Sequence, residues 1–201
     1  MSSFLGPIHF WLYGKIALQE ELTNNIAELA VKNGWITDDE KSNYVFGSLP
    51  PLESVIDEEN IHAWLQGRIH NAEERYALLV TRVLKESPEC IEQLESVARE
   101  LGHKNKVKAG ATPEEAYKKF DDFFLNGMPC DRVNEQIISD DDSYGWKQRE
   151  DIHKTFWNSA GGNVANYYKL RTTVMEGMLE DSGLTISYSE PMTWKIVKCG
   201  E

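Results

Sequence analysis

His62, Gln66, His70 and Glu74 follow one another at four-residue steps within the stretch Ile61 to Tyr76, and Glu73 stands beside the last of them. Neutral imidazole and ionised carboxylate are common ligands of iron, manganese and zinc. Imidazole, with an ordinary pKa of about 6.5, also moves protons at neutral pH. A four-residue step turns an α-helix by about 40°, so such a ladder spirals and cannot aim every group at one point. Helical bundles solve this by drawing donors from several helices. His9 in the first helix, and Asp151 and His153 near the start of the last long one, are available for that purpose. The candidate metal ligands are therefore His9, His62, His70 and Glu74, with Glu73, Asp151 and His153 as further donors, and the candidate ions are iron, manganese and zinc. The segment His70 to Glu74 is one His-x-x-x-Glu unit.

A second group surrounds the run Asn158-Ser159-Ala160-Gly161-Gly162-Asn163. Two successive glycines inside a helix cost about 2 kcal/mol relative to alanines, so something must compensate or the helix breaks. Lacking Cβ atoms, they admit a neighbouring backbone or a flat ligand. The expected ligand pocket comprises Gln66, Trp157, Asn158, Gly161, Gly162 and Asn163, and plain helix packing is the competing explanation. No Gly-Lys-Ser/Thr follows the glycines and no G-x-G-x-x-G occurs, which removes the usual phosphate and dinucleotide loops. No G-x-S-x-G nucleophile elbow occurs either. Cys90 falls in the first turn of a helix, where a thiol pKa can drop, but a buried structural thiol is the commoner outcome.

These groups are positioned by a mainly helical chain. Leu5, Ile8, Leu12, Ile16, Leu22, Ile26 and Leu29 recur at helical spacing, so a first helix is expected from about Pro7 to Lys32, stopped by Gly34. Thr37 and Glu40 form a capping-box pattern. A second helix is expected over about 58–85, with Ile61, Leu65, Ile69, Ala72, Tyr76, Leu79 and Val83 as its core stripe. A third starts at Ser87-Pro88 and stops at Gly102. A fourth starts at Thr112-Pro113 with Glu115 completing the box, and ends near Asn126-Gly127. Residues 133–139 and 144–150 flank an acidic turn and suggest a hairpin, unless Trp146 already opens the next helix. A long helix is expected over 151–181, followed by two alternating strands around Glu190-Pro191. The fold class is thus mainly α, a four- to five-helix bundle with a small C-terminal antiparallel β element. No linker interrupts it, so residues 1–201 are expected to form one domain.

Composition narrows the function. The chain has 201 residues with 41% hydrophobic side chains, enough for a substantial core, and a formal net charge of −12. That charge opposes binding to nucleic-acid phosphates and to anionic membranes. Three widely spaced cysteines argue against a disulfide framework and for a reducing, cytoplasmic setting. The apolar run Ile8 to Tyr13 is too short for a secretion signal or a membrane span. Two functions remain: a metal- or small-molecule-binding helical protein, with a metal-dependent enzyme as one form of it, or a non-catalytic oligomeric or partner-docking protein. Phe10, Trp11 and Tyr13 make the first helix apolar nearly all round, which favours a homo-oligomer or a heteromeric contact under the second.

Overall fold

The computed structural model describes residues 5–200. Helix α1 spans Pro7–Lys32, and a single turn, α2, spans Asp38–Lys41. Helix α3 spans Ile61–Glu86, α4 Ile91–Lys104 and α5 Pro113–Phe123. Strands β1 (Asn134–Ser139) and β2 (Ser143–Gln148) follow, then helices α6 (Lys154–Ser159) and α7 (Ala165–Leu179). Strands β3 (Leu184–Ser189) and β4 (Thr193–Lys198) complete the chain. The result is the mainly helical architecture with a small antiparallel sheet that the sequence suggests.

The local start signals act as expected. Thr37 and Thr112 each accept a hydrogen bond from the backbone N–H three residues on, and Glu40 and Glu115 reach back to the cap N–H at 2.8 Å. These satisfy donors that a helix N-terminus otherwise leaves free. Trp146 belongs to β2 and not to a helix. The two hairpins join edge to edge in the order β1-β2-β4-β3, all antiparallel, because Trp146 pairs with Trp194 and Tyr144 with Ile196 across β2 and β4. One face of this sheet packs on the helices: Trp146 and Trp194 stack with centroids 5.6 Å apart and are both fully buried.

Two expected boundaries move. Gly102 does not end α4, which continues to Lys104. Instead Gly102 is where α4 crosses α7: a Cβ there would lie inside contact distance of the Val174 carbonyl oxygen, and one at Gly177 would collide with the Arg99 carbonyl. Backbone on both sides of the crossing cannot give way. Gly102→Ala is therefore expected to destabilise the protein by about 3 kcal/mol, the upper range for overpacking, measured by urea unfolding. The helix expected over 151–181 is broken into α6 and α7. Gly161 has φ +71° and ends α6, and a Cβ on Gly162 would strike the Thr81 side chain of α3. The two glycines thus serve a turn and a close approach between helices, which offsets their helical cost.

Candidate functional site

Glu73 and His153 meet inside the protein. Glu73 projects from the buried face of α3 and is 2% exposed; His153 immediately precedes α6 and is fully buried. His153 Nδ1 lies 3.1 Å from both carboxylate oxygens of Glu73. Because a carboxylate only accepts, this geometry assigns a proton to Nδ1, and in the neutral imidazole Nε2 is then the acceptor. Nε2 is buried and has no hydrogen-bond partner among the described residues.

The turn that carries His153 is fixed from several sides. Asp151 Oδ1 accepts from the His153 and Lys154 backbone N–H groups at 3.2 and 2.9 Å and from the Tyr168 hydroxyl at 2.7 Å. Tyr167 stacks on the imidazole with centroids 3.9 Å apart and planes 25° apart. Burial raises the pKa of both tyrosines, and for Tyr168 the bond to Asp151 adds to the rise, so both stay protonated and Tyr168 donates to Asp151. Behind Tyr167, the Arg171 guanidinium donates to the Tyr167 hydroxyl at 2.9 Å and to Asn126 Oδ1 at 2.7 Å. No carboxylate pairs with Arg171 among the described residues; its charge lies over the rings of Phe124 and Trp194, 4.6 and 5.4 Å from their centroids. A carboxylate thus ends the series on one side and a guanidinium on the other, with imidazole and phenol between.

Glu73 and His153 border a cleft of about 450 Å³ between α3, the loop after α5 and the start of α6. Its apolar walls include Ile69, Ile152 and Phe156, and its polar groups include Gln66, His70 and Asp131. That size and mix suit a small organic molecule. At the exposed side, the Gln66 amide and His70 Nε2 are 3.0 Å apart, and the His70 ring leans on Phe156 at 5.5 Å.

The other sequence candidates go elsewhere. His9 is buried and its Nδ1 accepts the Gly6 N–H at 2.9 Å, so it caps α1. Its ring lies 5.6 Å from that of exposed His62, centroid to centroid, at a distance from His70 along α3. Glu74 is exposed, because it stands about 100° round the helix from buried Glu73. Among the described residues no group of three or more His, Cys, Asp or Glu side chains is placed to hold a metal ion. Of the expected pocket residues, Gln66 alone lines the cleft. Trp157 is sealed in the core, edge-on to Tyr76; Asn158 and Gly161 are exposed; Gly162 packs on Thr81. Asn163 caps the start of α7 by accepting the Ala165 N–H at 3.0 Å and borders a separate hollow with Tyr168 and Tyr188. Cys90 is buried, and burial raises its thiol pKa, in keeping with a structural role. The signal that marks Glu73 was present in the sequence: it lies four residues after Ile69 and three before Tyr76, on the core stripe.

No family model, curated protein or solved structure matches the chain. No helix among the described residues is long and apolar enough to cross a membrane.

Proposed function

We propose that the chain binds a small, largely apolar organic molecule in the cleft between α3 and α6 and that His153, held by Glu73, exchanges a proton with it. The supporting observation is the buried imidazole whose Nδ1 is committed to a carboxylate while Nε2 has no partner among the described residues. A carboxylate that holds one ring nitrogen fixes the tautomer and orientation and favours protonation at the other, as in general base catalysis. A weakly acidic group entering the cleft gives up its proton to Nε2 and receives it back when the product leaves. Gln66 and His70 at the exposed side serve as orienting hydrogen-bond groups.

The first test is histidine ring NMR with phenol and imidazole as probe molecules. Perturbation of the His153 and His70 ring signals by either probe, lost on filling the cleft with Ile69→Phe, supports the proposal. Unchanged ring signals with both probes would sink it. Zinc and manganese added in separate arms address metal binding: stoichiometric uptake that depends on His70 would replace the organic ligand with a metal.

A further inference from the structure

A second cavity, of about 380 Å³, lies on the other side of the Asn126–Met128 segment, between α1, α5 and the start of β1. Gly127 borders both cavities. Lys15 lines this one although it is 3% exposed. Its Nζ sits 3.9 Å from the Trp11 ring centroid, and no carboxylate lies within ion-pair distance among the described residues. A buried ammonium with no counter-ion is costly and points to a charge missing from the protein itself.

Two further buried polar atoms on the same walls have no partner. The Asn126 amide is held with Oδ1 toward two donors, Arg171 Nη1 at 2.7 Å and Gln148 Nε2 at 3.1 Å. That fixes its orientation and leaves its Nδ2 donor unsatisfied. Asn134 donates to the Tyr117 hydroxyl at 3.3 Å, and its Oδ1 is unsatisfied. Arg132 and Arg149 stand at the exposed rim, Asp121 is the one acidic residue lining the cavity, and Trp11, Met128 and Val133 give apolar walls.

We infer that this cavity takes a small organic carboxylate, its charge on the Lys15 ammonium and the Asn126 amide, its body against Trp11, Met128 and Val133. One buried cation matches a monoanion, and the apolar walls favour an organic body over an inorganic ion. The charged groups facing Lys15 are Asp121 and Asp122 from α5 and Arg171 from α7, with Asp122 already accepting the Trp11 indole N–H at 2.8 Å. Burial lowers the Lys15 pKa to about 8, with Arg171 adding to the fall and the two aspartates opposing it. A bound carboxylate reverses that shift, so binding above pH 8 takes up a proton.

The experiment titrates benzoate into the full chain at pH 7 and pH 9.5, following the Trp11 indole resonance, with inorganic phosphate as a parallel arm. Benzoate is expected to bind at pH 7 and to bind roughly 30-fold more weakly at pH 9.5, as the free ammonium is lost. Lys15→Met, whose fold is checked by its unfolding curve, is expected to abolish binding at both pH values, and Asp121→Asn to strengthen it. Benzoate that fails to bind the wild type, that binds Lys15→Met equally well, or that is outcompeted by phosphate at the same resonance would overturn the assignment. Because the reporter is Trp11, and His153 and His70 report on the first cleft, the two sites stand or fall separately.

Discussion

Replacing His153 by alanine is expected to destabilise the protein by about 3–5 kcal/mol, because it strands the Glu73 carboxylate in the interior without its partner. In a chain of this length that corresponds to a fall in Tm of roughly 10 °C. The cause is the asymmetry of buried polar pairs: the pair itself contributes little net stability, while either half alone is expensive. Glu73→Gln should cost much less than His153→Ala, since a neutral amide oxygen still accepts the Nδ1 proton and brings no charge into the core. The double variant Glu73→Leu/His153→Phe should regain most of the loss, as both polar groups go together. Thermal and urea unfolding of the wild type, the two single variants and this double variant test the point. A His153→Ala protein as stable as the wild type would show that Glu73 finds water there, and the pair could not then be the sheltered proton-transfer unit proposed.

Lys15→Met should have the opposite sign. Folding moves the Lys15 pKa from an ordinary 10.5 down to about 8, chiefly through burial. Below pH 8 the group is charged in both states, and the folded protein bears the full cost of burying it. Between pH 8 and 10.5 the folded state releases the proton first, so stability rises with pH by about 1.4 kcal/mol per unit. Buried tyrosines with raised pKa values, such as Tyr167 and Tyr168, act the other way, but only once the unfolded phenols ionise near pH 10. The buried Cys90 thiol, its pKa also raised, acts the same way as the tyrosines from nearer pH 9, so the lysine is isolated by urea unfolding of the wild type beside Lys15→Met at pH 7 and 9.5: the wild type should gain about 2 kcal/mol relative to the variant over that interval. Lys15→Met should already hold a gain of about 2–3 kcal/mol at pH 7 and show no rise, having lost only the contact of the charge with Trp11. A variant less stable than the wild type at pH 7 would mean the ammonium is well solvated. A destabilising residue kept in a cavity is the pattern expected where function conflicts with stability.

The acidic surface and the exposed side chains of α1 bear on the alternative of a docking protein. Ile8 and Phe10 are 50% and 41% exposed, whereas His9, Leu12 and Tyr13 turn inward and Trp11 leans on Lys15. The helix that reads as apolar nearly all round thus has most of its aromatic surface engaged within the chain.

The sequence by itself determined the elements. Caps such as Thr37–Glu40 and Thr112–Glu115, the apolar repeats of α1 and α3, and the alternation of Leu184, Ile186 and Tyr188 are signals whose energetics lie within a few residues, so they are legible without knowing any neighbour. They also placed Gln66 and His70 on one side of α3, where the cleft opens. Tertiary structure alone decided which donors meet. Glu73 and Glu74 are adjacent in sequence but about 100° apart on the helix, and only the packing of α6 on α3 brings His153, eighty positions away, to the first of them. Gly102 and Gly161-Gly162 read as a stop and a helical weakness, because a close approach leaves no mark in the chain that does the approaching. Lys15 sits three residues after Leu12 and seven before Leu22, on the core stripe, yet its burial depends on α5 and the Asn126 loop closing over it. Helices are specified by interactions between near neighbours in the chain; sites are specified by distances between residues that only the folded packing of elements sets.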